Sequence, residues 1–322
     1  MKKIVIFIVF SAYLFGLTTI KPSKSIDLGS GIRVEDMVLR DDNLVIGINK
    51  SKLLVYNLNQ NKIIKEIKIP KIKDFMGDTI DAKVASVDFL DGKYLLLSDS
   101  GIGGYSNLRI YEDNKTINLF TAKDKKPLVK ARFIDSNHIL LGYLSDELEL
   151  YDIKNKKSIY RVQLTESKFS DFALNENKSL VAVGCESGEV TVVDVKSGKV
   201  IKRLNSQNVD LVFKVDIKKD IVVAGGKDRR ASWYNLKTSK ASYFKASFFV
   251  YAVALSPSAE KAAFAMDENS DITIYNLGLN SKVAKLVGQK GAINTIIFKD
   301  EDTIFCASED NIINIWKLKW KR

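Results

Sequence analysis

Residues 178–204, KSLVAVGCESGEVTVVDVKSGKVIKRL, contain three runs in which side-chain character alternates, separated by short polar turns. The runs are SLVAVGC, VTVVDV and KVIKRL, the turns are ESGE and KSGK, and a fourth run, FSDFAL (169–174), comes just before the polar stretch NENK. A period of two is typical of β-strands, and Gly within a short polar stretch is typical of a turn. The segment therefore predicts four short antiparallel strands in succession.

The same pattern recurs along the whole chain. Each copy ends in an anchor residue, usually aromatic, that precedes a short polar turn, and successive anchors are 55, 40, 42, 41, 41 and 41 residues apart. Four strands repeated at this interval are typical of the blades of a β-propeller. The predicted fold class is all-β, a seven-bladed β-propeller of four-stranded antiparallel blades. The seven anchors are Tyr56, Tyr111, Tyr151, Val193, Tyr234, Tyr275 and Trp316.

The two ends of the chain predict how the ring closes. The last repeat stops after three strands, whereas SIDLGS (25–30) precedes the first repeat as a surplus strand. We expect this N-terminal strand to complete the last blade, because pairing would remove an open sheet edge. Residues 21–322 then form a single propeller, with no room for a second domain.

The first twenty residues are typical of an export segment. Lys2 and Lys3 precede an uncharged apolar stretch at 4–17, and Lys21 ends the apolar region. This matches a secretory signal peptide, and the alternative is an uncleaved N-terminal anchor, since residues 4–20 approach the length that spans a bilayer. Both interpretations predict a periplasmic protein, with membrane contact only if the segment is retained.

Composition excludes several classes of function. One His and two widely separated Cys leave no pattern for a metal site, a redox centre or a His-dependent catalyst, so we predict no metal, no cofactor and no enzymatic activity. We also expect free thiols at Cys185 and Cys306, which belong to blades four and seven. The net charge of +11 comes from scattered lysines without a basic run, so we predict no nucleic-acid binding. We expect a monomer.

The last repeat carries a family resemblance. LVGQKGAINTIIF (286–298) followed by DTIFCASEDNIINIW (302–316) resembles a WD40 repeat, with Gln289 where that family often has the His of its Gly-His pair. Asp310 stands six residues before the final Trp, at the family's turn position, and Asp228 matches it in an earlier repeat. The resemblance implies a platform for protein–protein interaction and implies no chemistry.

A looser resemblance concerns the biological setting. An exported, Lys- and Ile-rich seven-bladed chain of this length is similar to the NapL family, accessory proteins of periplasmic nitrate reductase systems. That resemblance implies nitrate reductase components as partners. An outer-membrane assembly scaffold is the alternative among binding proteins, although no Cys follows the apolar run to carry a lipid.

Two chemical alternatives remain open. VVDVKSGKVIKRL (192–204) resembles quinoprotein propeller repeats, but the Trp that docks such blades is absent. A hydrolytic or lactonase-like propeller would need paired carboxylates in the channel, and no pattern selects a general acid and base. The carboxylates considered for such a channel are Asp81, Asp88, Asp91 and Asp99.

The long first interval marks the candidate site. The segments 71–82 and 99–107 are long loops that both belong to blade two, and strand topology places them side by side on one face. Their apolar residues form either a small local core or a docking patch for a protein partner, because aromatic and Met side chains are enriched at interfaces. The predicted patch consists of Phe75, Met76, Ile102 and Tyr105.

Overall fold

Alternating apolar residues and polar turns build a structure made almost entirely of short strands. The computed structural model describes residues 17–318 of the 322-residue chain, and within them no α-helix occurs. One 3-10 turn, Ala122–Asp124, precedes the third blade. The strands are β1 (Thr18–Ile20), β2 (Lys24–Asp27), β3 (Val34–Arg40), β4 (Asn43–Ile48), β5 (Lys52–Asn57), β6 (Lys62–Lys68), β7 (Ile72–Lys73), β8 (Thr79–Ile80), β9 (Val84–Leu90), β10 (Lys93–Asp99), β11 (Ser106–Glu112), β12 (Lys115–Phe120), β13 (Leu128–Asp135), β14 (His138–Tyr143), β15 (Glu147–Asp152), β16 (Lys157–Gln163), β17 (Phe169–Leu174), β18 (Leu180–Cys185), β19 (Val190–Asp194), β20 (Val200–Leu204), β21 (Val212–Lys218), β22 (Ile221–Gly226), β23 (Arg230–Asn235), β24 (Ala241–Lys245), β25 (Ala252–Leu255), β26 (Lys261–Ala265), β27 (Ile272–Asn276), β28 (Ser281–Leu286), β29 (Ile293–Phe298), β30 (Thr303–Ser308) and β31 (Ile312–Lys317).

These strands form seven antiparallel blades, as the sequence predicts. Blades one to six are β3–β6, β9–β12, β13–β16, β17–β20, β21–β24 and β25–β28, and blade seven combines β29–β31 with β2. The first strand of each blade lines the central channel and the last lies at the rim. The connections between blades and between second and third strands open on one side, which we call the upper face. The remaining turns form the lower face.

The N-terminal strand closes the ring at blade seven. β2 pairs antiparallel with β31, from Lys24 opposite Ile315 to Asp27 opposite Ile312. Ile26 is buried, and it packs with Phe305 and Ile313 of blade seven and with core residues of blade one. The predicted closure is therefore confirmed, with the strand beginning one residue earlier than SIDLGS and ending at Asp27.

The described strands begin before the boundary predicted at residue 20, and that boundary stays a prediction. Thr18–Ile20 form β1, which pairs in parallel with β28 and gives blade six a fifth strand. β28 is the last strand of its blade, so its outer edge has free backbone groups, and the chain passes along it before entering β2. Of the export segment predicted at residues 1–20, residues 1–16 lie outside the described residues.

Small residues in the second strands set the distance between blades. A methyl group at Gly47 would lie 2.4 Å from the carbonyl oxygen of Val84 in the next blade. At Gly142 it would lie 2.7 Å from the Phe169 ring, and Gly184 and Gly225 meet the following blade equally closely. The hydrophobic core is therefore divided into clusters that each join neighbouring blades, such as Val45 and Leu53 with Val84 and Leu96.

The last strands of blades one to six are strongly basic. Together they contain eleven Lys and Arg residues and one acidic residue, Glu66, for a net charge of +10. Some of these side chains pair with an acid on the neighbouring strand, as Arg161 does with Glu147 at 2.7 Å. Charged residues, especially Lys, on an edge strand oppose pairing with another chain, and the last strands of blades one to five are such edges, whereas β1 covers that of blade six. Protection of the outer strands against such pairing therefore explains why the chain is rich in Lys and Arg.

No helix among residues 17–318 is long and apolar enough to cross a membrane.

Candidate functional site

The insertion before blade two folds as a small hairpin on the upper face. β7 and β8 pair through Ile72 opposite Ile80 and Lys73 opposite Thr79. The Asp74 carboxylate accepts hydrogen bonds from the backbone N–H groups of Met76 and Asp78, both at 2.9 Å, and this fixes the turn. The turn holds Phe75 and Met76 away from the protein, with 92% and 73% of their surfaces exposed.

The second loop of blade two is shaped by one serine and three glycines. The Ser100 hydroxyl lies 2.7 Å from the Tyr105 carbonyl oxygen, and the Ile102 N–H donates to that hydroxyl at 3.2 Å. Gly101, Gly103 and Gly104 all have positive φ, a conformation that few other residues adopt. Ile102 at the tip is 60% exposed. Tyr105 is half-buried and packs on Gly103 of its own loop, so it supports the loop as well as facing solvent.

The two loops touch, which confirms that they lie side by side. A β-carbon at Gly101 would lie 2.0 Å from the Lys73 carbonyl oxygen and 3.3 Å from the β-carbon of Ile72. The hairpin therefore rests directly on the second loop. A local core would bury its apolar side chains, whereas Phe75, Met76 and Ile102 are exposed. We call Phe75, Met76, Ile102 and Tyr105 the blade-two patch.

The substitution Gly101→Ala is expected to separate the inserted hairpin from the second loop of blade two. The added methyl group cannot fit against the Lys73 carbonyl, and φ of +76° strains any L-residue. Hydrogen exchange of the backbone amides in 72–80 should accelerate, while the melting temperature changes by only a few degrees because the blades are untouched. Gly104→Ala is the matched control, since it has φ of +70° and open space around its β-carbon. Equal exchange in the two variants would contradict the contact.

The central channel is lined by paired charges. Its cavity measures about 380 Å³. Arg132 of blade three lies 2.9 Å from the Asp36 carboxylate of blade one, across the intervening blade. Lys130 lies 2.6 Å from Asp171 of blade four, and Lys214 of blade five approaches the same carboxylate at 3.7 Å. These ion pairs join four blades around the channel.

The channel aspartates also bind the backbone of the following blade. Each accepts a hydrogen bond from an N–H group in the next first strand, which ties neighbouring blades together. The four pairs are Asp36 with Val87 at 2.8 Å, Asp88 with Phe133 at 2.9 Å, Asp171 with Val215 at 3.2 Å and Asp216 with Leu255 at 2.8 Å.

Protonation in the channel follows from burial and pairing. Burial would raise the pKa of Asp36, but the charges of Arg132 and Lys130 outweigh it and hold that pKa below its ordinary value. Asp171 has a lowered pKa for the same reason, with Lys130 and Lys214 opposing its burial. Burial raises the pKa of Asp216, because the Lys218 charge and the N–H groups of Leu255 and Ile217 do not outweigh it. The channel aspartates therefore have a structural role, which is to hold neighbouring blades together.

The four carboxylates considered for a hydrolytic channel do not come together as a general acid and base. Asp88 faces the channel and pairs with Arg40 at 2.6 Å. Asp91 lies in a turn on the lower face, where Ser136 donates a hydrogen bond to it at 2.7 Å. Asp81 accepts a hydrogen bond from Ser51 near the inserted hairpin, and Asp99 ends β10 on the upper face.

The single His and the two Cys residues lie in three different blades. His138 begins β14 and its Nδ1 lies 2.8 Å from the Asp135 carboxylate. Cys185 ends β18 in blade four, and Cys306 lies in β30 of blade seven. Both are buried, unbridged thiols. Within residues 17–318, no three His, Cys, Asp or Glu residues are placed to hold a metal ion.

The sequence analysis missed an aromatic cluster on the opposite side of the upper face. Phe213 is the second residue of β21 in blade five, and Phe248, Phe249 and Tyr251 belong to the connection from blade five to blade six. The Phe213 and Tyr251 ring centroids are 4.9 Å apart, and those of Phe248 and Phe249 are also 4.9 Å apart. All four rings are only partly buried. The run SFFVY (247–251) in an interblade connection is the signal that could have revealed it.

The residues that carry the WD40 resemblance form a hydrogen-bonded network. In blade seven, Gln289 Nε2 donates to Ser308 Oγ at 2.6 Å and to Asp310 at 3.3 Å. In blade five, Asn208 donates in the same way to Asp228 at 3.2 Å. The matched turn positions therefore join the interblade connection to the turn between strands two and three in both blades.

Comparison with known proteins agrees with this architecture. Residues 139–220 match the family model described as the WD40 domain of anaphase-promoting complex subunit 4. This match runs from β14 of blade three through blade four to the end of β21 in blade five, about a quarter of the chain, and does not include the last blade. No curated protein shows significant similarity to the sequence.

A solved structure extends the likeness to nearly the whole chain. The crystal structure of the Cps50 (Swd1) β-propeller domain of Myceliophteria thermophila has a TM-score of 0.70 and 14% sequence identity with this chain. The alignment covers 92% of this chain and 99% of that one. At this identity the likeness concerns the fold. The chain therefore has the fold of a seven-bladed β-propeller, and residues 139–220 of it resemble a WD40 domain.

Proposed function

We propose that this propeller is an exported, non-catalytic platform that binds a protein partner through the blade-two patch. WD40 propellers typically act as interaction scaffolds, and in repeat proteins insertions commonly fall on the binding face. The observation that carries the proposal is the display of Phe75, Met76 and Ile102 on two braced loops. Exposed aromatic and Met side chains held in a fixed geometry are favourable interface anchors, since little conformational freedom is lost on binding.

The export segment supports a periplasmic setting. In that compartment, the resemblance to the NapL family makes nitrate reductase components the first partners to test. Cell fractionation tests the location, and a cytoplasmic protein would contradict both this setting and the nitrate reductase role.

The patch is tested with purified protein and a quantitative binding assay. The double variant Phe75→Ala with Ile102→Ala should weaken binding of the isolated partner by at least about tenfold, because each anchor loses its contact area. Leu279→Ala is the matched control, since Leu279 is 77% exposed on the lower face. The melting temperatures of both variants should remain close to that of the unaltered protein, because the substituted side chains contribute little to the core.

Two results would contradict the proposal. If the double variant folds normally and binds the partner with unchanged affinity, the docking surface lies elsewhere. If the double variant melts far below the unaltered protein, the loops have a structural role that their exposure does not indicate.

A further inference from the structure

A second feature of the upper face is a groove beside the aromatic cluster. It has a volume of about 270 Å³ and lies where three connections meet: 246–251, 266–271 and 287–292. This is smaller than the pockets that hold drug-sized ligands, so the groove suits a single side chain rather than a cofactor. Its walls are formed by Phe248, Tyr251, Ala265, Asp267, Glu268, Ser270, Ala292 and Ile293.

One wall of the groove is aromatic and is supported from behind. Phe248 and Tyr251 have ring centroids 6.2 Å apart in an edge-to-face arrangement, and Phe249 meets Tyr251 at 5.9 Å and 90°. Phe213 supports Tyr251 from blade five. The face of an aromatic ring attracts cations. Among the cation–π contacts of residues 17–318, none involves Phe248 or Tyr251.

The other wall carries negative charge that the protein neutralises only in part. Lys285 lies 3.0 Å from the Asp267 carboxylate and 2.8 Å from that of Asp271, so one cation serves two acids. Glu268 stands between them in the sequence and is exposed. No ion pair within the described region includes Glu268. A free carboxylate therefore stands beside aromatic rings in a groove of side-chain size.

We propose that this groove receives a positively charged side chain, Arg or Lys, from a protein or peptide partner. Glu268 pairs with the charged end, while the Phe248 and Tyr251 rings bind the same charge and its aliphatic stem. The chemistry is selective, since a neutral side chain of the same shape gains only the apolar contact. A net charge of +11 over the whole chain makes this acidic groove a local exception.

The groove is independent of the blade-two patch. Blade two and the groove beside blade six lie on opposite sides of the channel mouth, and they share no residue. Substitutions at one site therefore leave the other in place, so the two proposals can fail separately.

Titration calorimetry with short peptides tests the groove. The probes are acetyl-Gly-Gly-Arg-Gly-Gly-amide and its Lys counterpart, with citrulline replacing Arg and norleucine replacing Lys in the neutral controls. We expect at least one charged peptide to bind about fivefold or more tightly than its neutral partner. Glu268→Gln should abolish most of that preference without unfolding the protein, because Glu268 is exposed. Glu260→Gln is the matched control, an exposed acid on the lower face of the same blade.

Each result of the peptide titrations either supports or contradicts the proposed binding groove. A charge preference that is lost in Glu268→Gln and retained in Glu260→Gln supports the groove. Equal binding of charged and neutral peptides, an unchanged preference in Glu268→Gln, or no binding of any peptide at millimolar concentration overturns it. The double variant at Phe75 and Ile102 should bind these peptides normally, so a failure of the blade-two patch does not affect this test.

Discussion

A chain that begins at residue 29 should melt roughly 10 °C or more below the full propeller. Such a chain lacks β2, and with it the burial of Ile26 and Leu28 and the ladder of hydrogen bonds to β31. Removing a buried Ile or Leu side chain costs about 2–5 kcal/mol each, and 1 kcal/mol changes the melting temperature of a chain of this size by about 2 °C. Thermal unfolding followed by circular dichroism measures the effect.

A chain that begins at residue 21 is the matched control. It lacks β1 but keeps β2, and the residues of β1 are mostly exposed. Blade six retains its own four strands, so the melting temperature should fall by only a few degrees. Equal losses in the two chains would show that closure of blade seven is not the main contribution of the N-terminal segment.

Arg132→Met is expected to destabilise the protein by about 3–5 kcal/mol at neutral pH. The substitution leaves Asp36 buried in the channel without its closest cation, and breaking a buried pair from one side carries this cost. Urea unfolding at pH 7 measures the change. The double variant Asp36→Asn with Arg132→Met should recover most of the loss, because it leaves no unpaired charge, and Asn can still accept the Val87 hydrogen bond. A double variant as unstable as the single one would contradict the ion-pair explanation.

The same pair predicts a pH dependence. The pKa of Asp36 is lowered in the folded protein, so its stabilisation is present above the ordinary Asp pKa of about 3.9 and is lost as the pH falls through the lowered value. In Arg132→Met, the pKa of Asp36 should be higher than in the unaltered protein, because only Lys130, Lys214 and the Val87 N–H then oppose the effect of burial. The difference in unfolding free energy between the two proteins should therefore narrow as the pH falls through the acid range.

The blade architecture could be predicted from sequence because it depends on local alternation repeated seven times. The segment 178–204 shows this well, since its predicted strands differ from β18, β19 and β20 by one residue at an end. The unfinished last repeat likewise predicted closure by the N-terminal strand. The parallel pairing of β1 could not be predicted, because three residues carry no period and their partner lies more than 260 residues away.

The candidate sites depend more on three-dimensional contacts. The insertion was visible as one long interval, so the loops containing Phe75 and Ile102 could be located. Their exposure depends on the Asp74 turn and on contact at Gly101, which no sequence period reveals. The groove was missed because its residues come from three connections that are separated along the chain. The sequence analysis looked for intervals between anchor residues that differ from about 41 residues, and the intervals around the groove have the regular length. The channel pairs were missed for a similar reason, since Asp36 and Arg132 stand 96 residues apart.

The basic outer strands change what an isoelectric point near 9.3 means for this molecule. Because they carry +10 of the total +11, all other residues together have a net charge of only +1. Two copies that approach rim to rim repel each other, so the orientation that would fuse their sheets is disfavoured. Physiological salt screens such repulsion beyond about 8 Å. Self-association through the rims should therefore increase with ionic strength, while binding at the blade-two patch, which uses apolar contacts, stays comparatively insensitive to salt.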